Sequence, residues 1–471
     1  MRAKQRLNPL DWVFLAGETR EAMMHVGSLM PFSPPPKAAP PLLRKLMDEV
    51  RKSAQAQPPW NFKLRYPNTP AHPLQAWVED EAFDVEYHIR RSALPSPGDE
   101  RELGILVSRL HSNSLDFHRP PWEVHFIEGL EGGRFALYFK VHHALVDGYT
   151  GIRLLSGALS TSARELDTPM FFARKQPPRA PSPAAAKVPT LAALMTMARE
   201  QADASRSIGK ALIRMAGAWR APRNQTEALI APMQAPKSIL NQKISRNRRF
   251  ATQSFPLDRL KRIAKSHGGT LNDLVIALCA GALRRLLLEQ DALPSKPLTA
   301  MLPVNIRPKD DPGGGNAVGA ILASLATDVA DPLERIRAII ASTSAAKAQL
   351  QGMTRSGIMQ YSALQMTPML LAQIPGAIGR LRPAFNLVIS NVPGPQKPLY
   401  FRGFKMEAYY PLSIPMPGYG LNITVVSYSD HLDFGFIGCR DNLPHLQRLA
   451  VYSRDALAEL DEPNPDRRQN R

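Results

Sequence analysis

The chain has 471 residues, 44% of them hydrophobic, enough to fill the cores of two or three domains. Its 59 Lys and Arg against 41 Asp and Glu leave a formal charge of +18, which points to acidic partners such as nucleic acid, anionic lipid headgroups or a phosphorylated ligand. Two cysteines in apolar runs, Cys279 and Cys439, exclude a disulfide framework or zinc motif, and no apolar run reaches the ~18–20 residues of a membrane span.

The basic stretch at residues 1–6 is not followed by an apolar segment, so no secretory signal is expected. Asn8-Pro9-Leu10-Asp11 opens a short helix. Residues 24–32 alternate as a strand, and the proline-rich 33–41 is a loop. An amphipathic helix is expected over 41–54, with Leu42, Leu43, Leu46, Met47 and Val50 on one face. Residues 62–65, Trp77 and 87–89 are strand candidates, and 102–112 is a second amphipathic helix. A proline-stiffened loop over 115–121 runs into a strand. Gly129-Leu130-Glu131-Gly132-Gly133 then makes a hairpin turn into a strand over 134–142.

Residues 172–190 read as an extended Pro-, Ala- and base-rich linker, followed by a helix over 190–219. Between 171 and 249 stand fifteen Lys and Arg against Glu200, Asp203 and Glu227, so much of the positive charge is local. This helix either packs on the protein or docks on lipid through its Met, Leu and Trp face. A cytoplasmic protein is expected, touching a membrane or lipid inclusion peripherally.

A second α/β unit starts near residue 244. It reads as a strand over 250–255 and a helix over 257–266 ended by Gly268-Gly269. Thr270-Leu271-Asn272-Asp273 then caps a helix running to 289. Strands are expected over 299–306, 316–327 and 387–390, with a glycine-rich loop over 310–315 that fits no phosphate-binding motif. Residues 331–350 and 444–460 read as helices, 420–437 as a hairpin, and 461–471 as a disordered tail. Alternating strands and helices make an α/β layered architecture.

The chemistry converges on His142-His143-Ala144-Leu145-Val146-Asp147-Gly148, at the end of the strand over 134–142. An imidazole fixed at a strand end is a candidate general base near neutral pH. Asp147 either orients His143 or locks the turn by capping the next helix, and Gly148 allows tight backbone passage. Adjacent histidines on a strand point to opposite faces, which argues against a shared metal. No GxSxG pentad marks a serine hydrolase, and sparse aromatics in the basic region argue against nucleic acid.

This heptad matches the HHxxxDG motif of the coenzyme-A-dependent acyltransferase superfamily. More specifically, the chain resembles the bacterial wax ester synthase/diacylglycerol acyltransferase family. Pro9-Leu10-Asp11 looks like its N-terminal signature. Leu115-Asp116 with Arg119-Pro120-Pro121-Trp122 is similar to its Pro-Leu-Trp motif, with proline directly before tryptophan. Asn272-Asp273 and Ser390-Asn391-Val392-Pro393-Gly394-Pro395 match second-half motifs, and Gly420-Leu421-Asn422-Ile423-Thr424 is similar too.

The resemblance implies an α/β (α+β) fold of two similar chloramphenicol-acetyltransferase-like subdomains with the active site in a channel between them. Residues 1–171 and 244–460 would be the subdomains, with 172–243 the basic insert. It implies fatty acyl transfer from acyl-CoA, a substrate and not a cofactor, to a long-chain alcohol or diacylglycerol. His143 would be the base and His142 structural. Asn272 is a candidate oxyanion donor or a helix cap. Asp273 is site support, and Asn391 reads as a hinge of the loop after its strand. A homodimer is left open. A condensation-like enzyme using carrier-protein thioesters, or a non-catalytic lipid-surface protein, are the alternatives.

Overall fold

The computed structural model describes residues 5–35, 47–50, 55–174, 230, 233–305, 318–351, isolated positions between 353 and 380, and 382–461. The linker beyond Arg174, the helix expected over 190–219, the glycine-rich loop at 310–315 and the tail past 461 lie outside these residues. Of the helix expected over 41–54, residues 47–50 are described and are helical.

The first half runs β1 (Gln5–Arg6), α1 (Pro9–Gly17), β2 (His25–Ser33), β3 (Phe62–Leu64), β4 (Ala76–Glu79), α2 (Val85–His88), β5 (Ile89–Ala93), α3 (Glu100–His111), β6 (Trp122–Glu128), β7 (Phe135–His142) and α4 (Gly148–Gly157). The second runs β8 (Arg248–Pro256), α5 (Leu257–Ser266), α6 (Leu271–Glu289), β9 (Thr299–Asn305), β10 (Val318–Ser324), α7 (Pro332–Leu350), β11 (Leu387–Val392), β12 (Tyr400–Phe401), β13 (Phe404–Met406), β14 (Tyr410–Leu412), β15 (Leu421–Tyr428), β16 (His431–Cys439) and α8 (Arg448–Asp461).

Local chemistry accounts for many of the boundaries. Asn8 and Asp11 form a reciprocal capping box at the start of α1, where Pro9 needs no N–H partner. Thr270 and Asp273 do the same for α6. The strand expected over 87–89 is divided instead. The Asp84 carboxylate accepts the N–H groups of Glu86 and Tyr87 (3.0 and 3.3 Å), winding 85–88 into one helical turn before β5 begins.

Two large sheets organise the molecule. The six-stranded sheet, β10-β9-β11-β15-β16-β8, comes wholly from the second half. Its core is capped by α6, whose residues 274–280 are all buried and apolar, while Arg285 and Glu289 near its end are exposed. The seven-stranded sheet, β12-β13-β2-β7-β6-β5 with β14 also on β2, mixes the halves. Strands β13 and β14, unforeseen because each has three residues, cover the free edge of β2.

The halves are also joined across β8, the other edge of the six-stranded sheet. Its outward N–H groups would be orphaned there. The Ser112 hydroxyl accepts from Arg248 N (2.8 Å) and the Ser108 hydroxyl on α3 accepts from Phe250 N (2.9 Å). Both cysteines are free and buried.

Candidate active site

Strand β7 is buried along its whole length. Its alternation sorts two chemistries. Phe135, Leu137, Phe139 and Val141 face an apolar core shared with Trp60, Trp122 and Phe171. On the other face, Tyr138 pairs with His111 Nδ1 (2.7 Å). Lys140 forms a buried ion pair with Glu123 and donates to the carbonyls of Leu110 and Asn113 (3.1 and 3.0 Å).

The ladder to β2 ends at His25 and His142. His143 follows, and its N–H donates to the carbonyl of Met24 (2.9 Å), the residue just before β2, so its backbone is held too. Its ring stacks on Phe14 of α1, centroids 4.0 Å apart. His143 Nδ1 is sealed from solvent without a hydrogen-bond partner. Burial lowers the ring's pKa to about 4, against the opposing pull of Asp147, so the imidazole is neutral at pH 7.

His142 is buried and points the other way. Its Nδ1 accepts the Ala144 N–H (3.2 Å), its Nε2 lies 3.5 Å from Glu18 Oε2, and Phe117 meets the ring edge-on. Asp147 is the N-cap of α4. One carboxylate oxygen accepts Thr150 N (2.8 Å) and the other the Thr150 hydroxyl (2.9 Å). Gly148 does not provide the tight passage expected of it: a Cβ there would meet nothing within 4 Å. What the glycine leaves is open space at the start of α4.

The remaining sequence-predicted residues sit elsewhere in the fold. Thr270 caps α6, and Asn272, half-buried in the first turn, takes no part in that cap. Asp273 is buried and accepts from Thr270 N, the Thr270 hydroxyl and the Thr343 hydroxyl (2.8, 2.7 and 2.7 Å), tying α6 to α7 and holding its own pKa low. Asn391 is an exposed strand residue, not a loop hinge. Parallel pairing with β15 continues through Asn391–Val425 to Val392–Val426, which carries β11 two residues further than expected. Among the described residues no hydrogen bond joins Asn272, Asp273 or Asn391 to His142, His143 or Asp147.

Phe14 and Glu18 were missed as site residues, although their i, i+4 spacing on a short helix near the N-terminal signature was legible. Phe14 also packs on a seam where Ala22 and Met24 meet Ile244, Ile414 and Cys439 of the second half. His143 thus stands beside the junction of the halves. Among the described residues, no group of three or more His, Cys, Asp and Glu is placed to hold a metal ion.

The model of the wax ester synthase/diacylglycerol acyltransferase catalytic domain matches residues 7–275, and that of the family's C-terminal domain matches 314–461. A Mycobacterium tuberculosis protein assigned by name as a diacylglycerol O-acyltransferase is 50% identical over 503 residues, 97% of each chain. The O-acyltransferase WSD of Acinetobacter baylyi is 42% identical, covering 96% of each. The structure of the wax ester synthase/diacylglycerol acyltransferase from Marinobacter aquaeolei VT8 superposes with a TM-score of 0.75 at 39% identity, covering 97% of this chain and 98% of that one. A starter condensation domain of rhizomide synthetase, at 13% identity and a TM-score of 0.53, shares the fold across 98% of this chain and 95% of its own. The two-subdomain, chloramphenicol-acetyltransferase-like architecture follows. The chain belongs to the wax ester synthase/diacylglycerol acyltransferase family and is an O-acyltransferase.

Proposed function

We propose that the enzyme moves a fatty acyl group from acyl-CoA to the hydroxyl of a long-chain alcohol or diacylglycerol, with His143 as general base. His143 Nε2 takes the hydroxyl proton and the alkoxide oxygen bonds to the thioester carbonyl carbon. The C–S bond then breaks and the proton passes to the departing CoA sulfur. One alcohol and one thioester give one ester and one thiol. Acyl-CoA enters as a substrate and no cofactor takes part.

One observation carries this reading: a neutral imidazole at a strand end, stacked on one face and sealed at Nδ1. Nε2 is left to face a substrate, and a ring held at one angle is what proton transfer in a fixed geometry needs. Asn272 is proposed as a donor to the developing oxyanion.

The hydrocarbon tail needs an apolar path. Beyond Val141, on the same face of β7 as His143, Leu137 and Phe139 line a cavity of about 30 Å³. Leu155 and Ala158 of α4 and the flexible side chains of Met30 and Met170 complete much of its wall. Leu137 lies six residues from His143, roughly 20 Å along an extended strand, within the reach of a long acyl or alkyl chain. We place a substrate's chain end there, admitted by movement of the thioethers.

No helix among the described residues is long and apolar enough to cross a membrane. Peripheral contact with a lipid surface is proposed from the fifteen Lys and Arg against three acids between 171 and 249. The deciding assay is thiol release from palmitoyl-CoA with hexadecanol or dioleoylglycerol. His143→Ala should lose at least about 10²-fold of it. Undiminished release would assign the fold to a non-catalytic lipid-surface role.

A further inference from the structure

We propose that Glu18 is a positioning residue for His143, acting through His142 and Met24; this rests on the reading of His143 as the base. Glu18 is the C-cap of α1, with an extended backbone (φ −67°, ψ 121°) that turns its carboxylate back toward the start of β2. Oε2 accepts the Met24 N–H in a short hydrogen bond and stands 3.5 Å from His142 Nε2. Met24 in turn accepts the His143 N–H through its carbonyl (2.9 Å). A single carboxylate oxygen thus braces Met24 and stands beside the buried Nε2 of His142.

The roles of the two His142 nitrogens follow. Nδ1 accepts from Ala144 N, which leaves Nε2 as the nitrogen that faces the carboxylate. Nδ1 ties the ring to the turn that presents His143, while Nε2 is buried without a hydrogen-bond partner, 3.5 Å from the carboxylate. Phe14, one helical turn before Glu18, stacks on the base itself. One side of α1 thus grips His143 by its ring and, through Glu18, by its backbone.

The negative charge has a counterpart in the second half. Arg248 of β8 is buried, and burial lowers its guanidinium pKa to about 10 while Cys439 and Glu18 oppose that shift. Its Nη2 donates to the Glu21 carbonyl (2.6 Å), within the loop between Glu18 and Met24. That contact makes the brace depend on docking of the second half. A carboxylate that only solubilised the end of α1 would not stand beside a buried imidazole.

The test compares Glu18→Ala, Glu18→Gln and His143→Ala in the full-length enzyme, with thermal melts and with kcat and KM for palmitoyl-CoA and hexadecanol. Loss of the brace lets His143 drift. Glu18→Ala should lower kcat roughly tenfold to a hundredfold and leave both KM values within about twofold. Glu18→Gln keeps an oxygen that accepts from Met24 N beside His142 Nε2, and should restore most of kcat. A native kcat in folded Glu18→Ala overturns the proposal. So does a loss that Gln does not rescue, or one expressed in KM. If Glu18→Ala does not fold, Glu18→Gln against Glu18→Asp reads the same contact: a shortened acid should lose kcat while the amide keeps it, and the reverse order overturns the brace. An active His143→Ala would overturn the base itself, whereas an inactive His143→Ala beside a native Glu18→Ala overturns only the role of Glu18.

Discussion

The ring of Phe14 lies 26° from parallel to that of His143, with centroids 4.0 Å apart. The two residues are far apart in sequence, yet the contact covers one face of the imidazole. An aromatic pair of this kind contributes about 0.5–1.5 kcal/mol beyond its buried area. Phe14→Ala should therefore lower kcat by up to about tenfold, since about 1.4 kcal/mol is a factor of ten. Phe14→Tyr should retain most of the activity. Steady-state kinetics on folded variants checks both, and a native kcat in Phe14→Ala would show that the strand end alone orients the base.

Asp147 spends both carboxylate oxygens on Thr150. Its removal should act first on the start of α4. Asp147→Ala should cost about 0.5–2 kcal/mol of stability, as loss of a helix cap does, and Asp147→Asn less. Asp273→Ala, which strands three donors between α6 and α7, should also lower the melting temperature with little change in KM. Thermal melts beside kinetics separate these effects. Asp147→Ala with a native melting curve and lost turnover would instead make the carboxylate an orienting partner of His143.

Burial lowers His143 and His88 to about 4, and takes His25 and His111 well below their ordinary value. In the unfolded chain such groups titrate near ~6.5. Between about 6.5 and 4 the unfolded chain binds protons that the folded one refuses. Stability from these groups is therefore complete above about 6.5 and falls as the pH drops. Turnover follows a different group state, because folded enzyme keeps His143 neutral until the pH approaches about 4. Denaturant midpoints should fall between pH 7 and 5 while kcat/KM, measured before unfolding, stays level. A kcat/KM that halves near pH 6.5 in folded enzyme would contradict the buried, neutral base.

Ala158 forms part of the wall of the cavity on the His143 face of β7. Ala158→Leu should fill it and exclude the ends of long chains. Each methylene denied burial forgoes about 0.8 kcal/mol, or roughly fourfold. The ratio of C16 to C10 turnover should then drop by about tenfold or more, and Leu155→Ala should raise it. One series varies acyl-CoA against a fixed alcohol, and the other varies the alcohol against a fixed acyl-CoA. Whichever series shifts names the chain that enters, and an unchanged ratio in both would make the cavity a packing void.

Much of this was legible in the residues. The HHxxxDG heptad, the strand before it, the helix after it and the ordered second-half motifs are local or colinear signals, and they were enough to place the family. Period-2 alternation set His142 and His143 on opposite faces, and the two rings have separate partners. Capping chemistry located α1 and α6 to within a few residues. The short strands β12 to β14 escaped, because two or three residues carry no periodicity, and their pairing with β2 is a long-range event. Asn391 was misplaced for a related reason: the proline after Val392 signalled a loop, while pairing with β15 kept the strand going.

The sequence by itself determined the chemistry available: an imidazole at a strand end, an acid able to cap the next helix, and a family whose members are acyltransferases. Only the tertiary structure decided how that imidazole is held. Phe14, Glu18 and Met24 meet around the two histidines, with Arg248 on the Glu21 loop behind them, because β2 pairs with β7 and β8 docks on α3. Those contacts join segments remote in the chain, and the spacing of Phe14 and Glu18 along α1 does not say what they meet. The low pKa of His143 belongs to the same class, because burial is a property of the packed protein and not of the motif.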